Sequence, residues 1–416
     1  MYGIRRITYF SALLLVNTLV GANENTIVKH VDPIEIKHDL SLSDLIDLTL
    51  KKYPDQRLNQ ALIKEVDALR RRGSQWLSAA PSVSFRYQDD LLADNTGLRE
   101  LETELGLSLW NWGQRSAGLA LADKANATID KQQQALRLKV AGLIRLALWD
   151  MSLEDIRYQQ AKITLEISEK LLDKIKHRVE LGDLAEFDLL LAQSDHLEKR
   201  TLFVQAQAEM MHARERYFTL TQSNQVPANY TETQSTLDTV EHHPALQVMN
   251  TLIEREKANL NWVESKGSGQ PLITLGGKSE RGSRANDDIE SLSLTISIPF
   301  GGAAYLAPKI ASVNIKLTKI ITRREHLYRK LTADLHEINH QLEVNRAELM
   351  MANELKQISN KHLKMAQFGF SEGEINLMDL LKIQTKNTNA LRHAKEHKVM
   401  LQRNIALYNQ IVGVQP

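Results

Sequence analysis

Residues 181–193 read LGDLAEFDLLLAQ, and residues 372–384 read EGEINLMDLLKIQ. Set side by side at an offset of 191 residues, Gly182, Asp188, Leu189, Leu190 and Gln193 recur as Gly373, Asp379, Leu380, Leu381 and Gln384. In each copy the glycine is followed by an acid, Asp183 or Glu374. Such a stretch suits a helix C-terminus, a tight reversal through a left-handed glycine, and the acidic first turn of a new helix.

The duplication extends outward. Tyr53-Pro54 is matched by His243-Pro244, and Pro81, which opens PSVSFRYQ, is matched by Pro271, which opens PLITLGGK. Anchors that keep their order at nearly one offset mark a duplicated unit, far longer than a solenoid repeat. We therefore expect a first repeat over 23–222, a linker over 223–243 and a second repeat over 244–416. Each repeat opens on a helix, over 41–78 with a break at Pro54, or over 244–266. Strands follow at about 81–109 and 271–298, then long polar-amphipathic helices over 113–180 and 308–371. At 1.5 Å per residue each long helix spans about 100 Å. Apolar residues step at coiled-coil spacing through Leu136, Val140, Leu143 and Ala147, and through Leu331, Leu335, Ile338 and Leu342. After each reversal a helix returns, over 186–222 or 377–412.

The strand segments alternate. Val83, Phe85 and Tyr87 fall on one face against Ser82, Ser84, Arg86 and Gln88, and Leu292, Leu294, Ile296 and Ile298 oppose Ser291, Ser293, Thr295 and Ser297. Period two with one apolar face places a strand between two different environments. Strands of about 9 residues fit a tilted crossing of a hydrocarbon layer, with small neutral groups towards a wet lumen. The competing reading is a small soluble hairpin packed on helices. Four strands cannot close around an aqueous channel, whereas three copies would supply twelve.

Composition narrows the partners. Among 416 residues Lys+Arg is 52 and Asp+Glu is 51, so no basic excess points to nucleic acid. Scarce glycine (19) and proline (9) favour long helices. Arg5 and Arg6 precede an apolar run from Ile7 to Val20 that ends in Val20-Gly21-Ala22. We read an export signal over 1–22, cleaved after Ala22; the competing reading is a retained membrane anchor, for which the run is short. There are no cysteines, hence no disulfide, thiolate metal site or lipidated cysteine. No later run reaches about 18 consecutive apolar residues, so a membrane crossing would have to use strands.

One motif competes with this frame. Residues 336–340 read HEINH, the H-E-x-x-H pattern that places two zinc ligands and a general base on one helical face. A catalytic zinc needs a third ligand and a cleft. The residues after His340 are Gln341-Leu342-Glu343-Val344-Asn345, which continue no extended zinc-peptidase pattern. Repeat one carries Arg145-Leu146-Ala147-Leu148-Trp149 at the equivalent place. His336 and His340 are weak metal candidates, and an exported zinc metallopeptidase is the least favoured reading. His242-His243 stands at a helix entrance. Trp110, Trp112 and Tyr305, just past the strands, suit either an interfacial belt or a buried junction.

The chain resembles the outer-membrane efflux protein (TolC) family over essentially its whole mature length. The carriers are LSLSDLIDLTLKKYP at 40–54, the pre-strand prolines, WNWGQ at 110–114, PFGG at 299–302, and above all the two copies of G-x5-D-x-L. The resemblance implies a mainly α fold with a β-barrel portion: a homotrimer whose twelve-stranded barrel lies in the outer membrane of a Gram-negative bacterium, continued by a helical periplasmic duct. It implies no enzymatic activity and no cofactor. It implies an exit duct for a tripartite efflux or type I secretion system, working with a periplasmic adaptor protein and an inner-membrane pump of RND, ABC or MFS type. An adaptor itself is the alternative, although an adaptor would be β-rich outside one hairpin and would not carry two matched halves. The resemblance places adaptor docking at Leu181, Gly182 and Asp183 and at Glu372, Gly373 and Glu374. It places a periplasmic constriction at Asp188 and Asp379. The alternative role for both aspartates is to favour the start of the returning helix through its dipole. Lys382 stands where many relatives carry an acid, so it would offset the negative ring and put charge selectivity in question.

Overall fold

A computed structural model describes residues 34–416. The expected export signal, 1–22, lies outside the described residues. The elements run β1 (Glu35–Lys37), α1 (Leu42–Lys52), α2 (Gln56–Ser74), β2 (Ser82–Asp89), β3 (Arg99–Ser108), α3 (Gln114–Glu180) and α4 (Glu186–Thr221). They continue as β4 (Gln225–Pro227), α5 (Pro244–Glu264), β5 (Leu272–Arg281), β6 (Ile289–Ser297), α6 (Ala303–Ser371) and α7 (Leu377–Val412). Among the described residues no helix is long and apolar enough to cross a membrane.

Local chemistry sets the breaks. Ser41 caps α1 and forms a reciprocal box with Asp44: the Asp44 N–H donates to Ser41 Oγ at 3.1 Å and the Ser41 N–H donates to Asp44 Oδ2 at 3.2 Å. Pro54 separates α1 from α2, because a residue preceding proline is driven out of the helical region, and Tyr53 is extended at ψ 132°. Pro308 does not open α6 as the sequence suggests. The helix starts at Ala303 and carries Pro308 within it. One missing backbone bond near an end is a small defect in a helix of 69 residues. β1 and β4 form a two-stranded parallel pair, in which Ile36 lies opposite Val226. At 3 residues each, these strands carry too little alternation to be read.

α4, α3, α7 and α6 lie side by side in that order, with α5 packed on α3 and α6 and α2 on α3. Leu45 and Ile46 of α1 pack with Val140, Ile144 and Leu148 of α3 and Tyr217 of α4. Ile338 and Leu342 of α6 pack with Tyr408 and Val412 of α7. Between them sits a buried polar clamp. Arg145, 1% exposed, donates from Nε to Glu232 Oε1 at 2.8 Å and from Nη2 to Glu232 Oε2 at 2.6 Å, and Nη1 donates to Gln410 Oε1 at 2.7 Å. Asn409 Nδ2 also donates to Glu232 Oε2, at 3.1 Å. The segment between α4 and α5 is thus tied to α3 and α7 at once.

At one end the chain forms a four-stranded antiparallel sheet in the order β2-β3-β5-β6. Register puts Phe85 opposite Thr103, Leu105 opposite Leu275, and Leu275 opposite Leu294, so the apolar side chains gather on one face. That face is bare: Phe85, Leu292 and Leu294 are 76%, 92% and 64% exposed. The other face corrects the expectation of small neutral groups. Glu100, Glu102 and Glu104 of β3 line it beside Arg86, Lys278 and Glu280. Lys278 lies 3.4 Å from Glu100 and also pairs with Glu280, while Ser84 Oγ donates to Glu104 at 3.2 Å.

Candidate functional site: the paired helical tips

At the end opposite the sheet, two reversals carry the duplicated motif. The α3 helix closes with three backbone bonds: Leu181 N–H to His177 O at 3.1 Å, Gly182 N–H to Val179 O at 3.0 Å, and Asp183 N–H to Arg178 O at 2.9 Å. The α6 helix repeats the pattern with Glu372 to Phe368 at 3.1 Å, Gly373 to Phe370 at 3.3 Å and Glu374 to Gly369 at 2.8 Å. This is the Schellman arrangement, which satisfies the last carbonyls of a helix by turning one residue left-handed. Gly182 and Gly373 take that role at φ +83° and +79°, and a Cβ at either would meet nothing within 4 Å. Backbone conformation, not crowding, therefore demands glycine here.

Leu181, Gly182, Asp183, Glu372, Gly373 and Glu374 are all solvent-exposed. The two tips stand together. Ile175 and Ala192 from the first reversal share a buried cluster with Ala366, Leu377 and Leu380 from the second. The Arg178 guanidinium lies over the Phe370 ring, 5.4 Å from its centroid. What the tips offer outward is therefore a small platform with two exposed glycine turns and three exposed acids, Asp183, Glu372 and Glu374.

The aspartates sit alike but are held differently. Asp188 and Asp379 are each the third residue of their helix, α4 or α7. Asp188 is half-buried and Asp379 exposed. Asn376 caps α7, its Oδ1 accepting from the Asp379 N–H at 2.8 Å, whereas Ala185 leaves α4 without a side-chain cap. The N-x-x-D spacing of Asn376 and Asp379 is a cap signal legible in the sequence. Lys382, one turn along α7, is exposed.

The H-E-x-x-H residues lie elsewhere. His336 and His340 are exposed on α6, while Ile338 between them is buried in the α6–α7 core. Among the described residues no group of three or more His, Cys, Asp or Glu converges to hold a metal. Arg145, at the equivalent position of repeat one, is the centre of the buried clamp. His243 accepts from the Ala245 N–H at 3.2 Å as the N-cap of α5, and its burial lowers its pKa below the usual imidazole value. Within the single chain Trp112 and Tyr305 are exposed, as are Trp76 and Phe300, while Trp110 is half-buried. Trp110 donates from Nε1 to Gln75 O at 3.1 Å.

The architecture has close structural likenesses. The chain is similar to CusC, described for transmembrane channel formation, with TM-score 0.72, 13% identity, and coverage of 90% of this chain and 92% of that one. It is similar to the outer membrane protein VceC of Vibrio cholerae, with TM-score 0.71, 12% identity and coverage of 90% and 96%. It is similar to the Campylobacter jejuni CmeC outer membrane channel, with TM-score 0.71, 13% identity and coverage of 98% and 94%. The chain has the fold of these outer-membrane channel subunits. No family model and no curated protein matches the sequence. Identity this low with coverage this broad says that element lengths and order are held while most side chains differ.

Proposed function

We propose that the protein is one subunit of a homotrimeric outer-membrane exit duct of the TolC family, passively conducting substrates delivered by an inner-membrane pump. The observation that carries this reading is the sheet: four strands of 8–10 residues with a bare apolar face and a charged opposite face. An apolar face of that kind needs lipid or protein against it, and a closed barrel of three copies would supply both lipid outside and a polar lumen inside. The exposed aromatics Trp76, Trp112, Phe300 and Tyr305 at the sheet–helix junction suit the headgroup level of an outer membrane.

The helices support the same closure. α4 and α6 flank the four-helix layer, and each carries an unpartnered apolar stripe: Phe187, Leu190, Leu197 and Val204 on α4, and Met351, Leu355, Ile358 and Met365 on α6. Their steps of three, four and seven residues are coiled-coil spacing. In a ring of copies the α6 stripe of one protomer would meet the α4 stripe of the next. The two repeats, 23–222 and 244–416, would then each contribute one hairpin to the barrel and one helix pair to the duct, joined by the 223–243 linker.

In this reading the six tip residues around Gly182 and Gly373 receive a periplasmic adaptor, and Asp188, Asp379 and Lys382 line the constriction. A detergent-solubilised protein should run with a trimeric mass and form conducting channels in planar bilayers. A water-soluble monomer would sink the proposal. Asp379→Ala should change single-channel conductance or cation block. An unchanged channel would leave Asp379 as a helix-start residue only. Crosslinking in cells through Gly182→Cys should capture an adaptor. An adaptor would itself be the better reading if the purified chain were soluble and bound to such a duct.

A further inference from the structure

The exposed apolar stripes of α4 and α6 have the same spacing when read in opposite directions. Along α4 the positions are Phe187, Leu190, Leu197 and Val204, and along α6, read from its C-terminal end, they are Phe368, Met365, Ile358 and Met351. Both run in steps of three, seven and seven residues. Each stripe lies away from the face that its own hairpin buries. At 3.6 residues per turn, Leu197 is about 140° round α4 from the buried Ala192. Ile358 is about 120° and about 140° round α6 from the buried Ala352 and Asn345.

Set antiparallel, one register superposes both stripes along their whole length. Phe187 falls opposite Phe368, Leu190 opposite Met365, Leu197 opposite Ile358 and Val204 opposite Met351. The series continues with Ala208 opposite Ala347 and Met211 opposite Val344. The intervening layers are polar on both sides at once: Ser194 meets Lys361, and Thr201 meets Glu354. A polar residue in an apolar seam penalises alignments that set it against an apolar partner, which is how coiled coils specify register. A slip of one heptad in one direction sets Phe187 against Lys361 and Ala208 against His340. The opposite slip sets Leu190 against Glu372 and Ser194 against Phe368. In the matched register Arg214 and Glu343 face each other at the flank, with opposite charge. Height agrees as well, because rotation about an axis along the helices keeps each residue at its level. Ala192 and Ala366 share the buried cluster at the tips. The matched register sets Leu363 level with Ala192, about 4.5 Å along the helix from Ala366 and less than one turn away.

We propose that α4 of one copy and α6 of the next form an antiparallel coiled-coil seam in this register, centred on Leu197 against Ile358, with the polar layers Ser194–Lys361 and Thr201–Glu354 setting the alignment. The occupant of each stripe is the complementary stripe of a second copy of this chain, because both the spacing and the polar interruptions match. Lys361 lines the seam with its methylene stem and keeps its ammonium at the wet edge. The inference rests on the ring of copies proposed above and adds to it which residues touch.

The chain has no cysteines, so engineered pairs report on this contact alone. In the detergent-solubilised full-length protein, Leu197→Cys/Ile358→Cys should form an intersubunit disulfide on mild oxidation and run as a covalent trimer when unreduced. Facing positions of such a seam come within the ~6.8 Å between Cα atoms that a disulfide spans. Leu197→Cys/Met351→Cys and Leu197→Cys/Met365→Cys are each one heptad, about 10 Å, out of register and should stay uncrosslinked. Arg214→Glu should lower the temperature at which the trimer dissociates, and Arg214→Glu/Glu343→Arg should restore it. Three results would overturn the register while the trimer stands: preferential crosslinking of a slipped pair, no crosslinking of any pair in a protein of trimeric native mass, or no restoration by the charge swap. A monomeric native mass would instead remove the ring of copies itself, and the seam with it.

Discussion

Arg145 and His336 occupy equivalent places in the two repeats and have opposite fates. His336 points to solvent, whereas Arg145 is enclosed with Glu232, which is only 10% exposed. Removing one partner of a buried ion pair leaves an uncompensated charge, a loss of about 3–5 kcal/mol. Arg145→Met should lower the chemical-denaturation midpoint accordingly, and Arg145→Met/Glu232→Gln should recover part of it. His243 supplies a pH effect. Burial disfavours its charged form, outweighing the Gln410 backbone contact that favours it, so its folded pKa lies below the unfolded value near 6.5. Between those two values the unfolded chain binds more protons. Stability from this group is therefore complete above pH ~6.5 and declines as the pH falls towards the folded pKa. His243→Asn, whose amide oxygen replaces Nδ1 as the capping acceptor, should flatten the fall in Tm between about pH 7 and 5. An equally steep fall in the variant would assign the effect to other groups.

The helical elements are governed by two kinds of surface. Each hairpin is closed internally by its coiled-coil seam and by the shared cluster of Ile175, Ala192, Ala366, Leu377 and Leu380. The flanking stripes on α4 and α6 are exposed among the described residues. A charge placed there should cost the single chain little, since exposed positions tolerate change within about ±0.5 kcal/mol. Leu190→Asp or Ile358→Asp should therefore leave helicity by circular dichroism unchanged while abolishing the trimer in native mass spectrometry. Loss of helicity would place these residues in the fold of the subunit instead. The reversal signal G-x5-D-x-L was legible because its glycine answers a backbone requirement that no neighbour can relieve. The shared core of the two tips was not legible, because it depends on the helices lying side by side.

For the whole molecule the decisive contrast lies between the two faces of one sheet. An arginine on a lipid-facing strand position costs about 2–4 kcal/mol near the bilayer midplane, whereas a lumen position accepts it. Leu294→Arg should sharply reduce insertion into vesicles on refolding, and Thr295→Arg, one residue on and facing the other way, should insert normally. Equal insertion of both would mean that the apolar face meets protein rather than lipid.

Strand alternation, the duplicated anchors and the paucity of glycine and proline made the order of the long helices and of the four sheet strands legible in the amino acids alone, though not the three-residue β1 and β4, because these signals are local: period two, period 3.5 and left-handed glycine. HEINH could also be discounted locally, since Ile338 sits on the seam and no third ligand follows in sequence. Tertiary structure decided what depends on distant residues. It set the Arg145–Glu232–Gln410 clamp, whose members come from three separate segments. It turned the acids of β3 to the same face as Lys278 by strand register. It brought Glu348 against His397, a contact that exists only because α6 and α7 run antiparallel at a set stagger. Sequence spacing reports which side chains share a face of one element, and only packing reports what the next element places across from it.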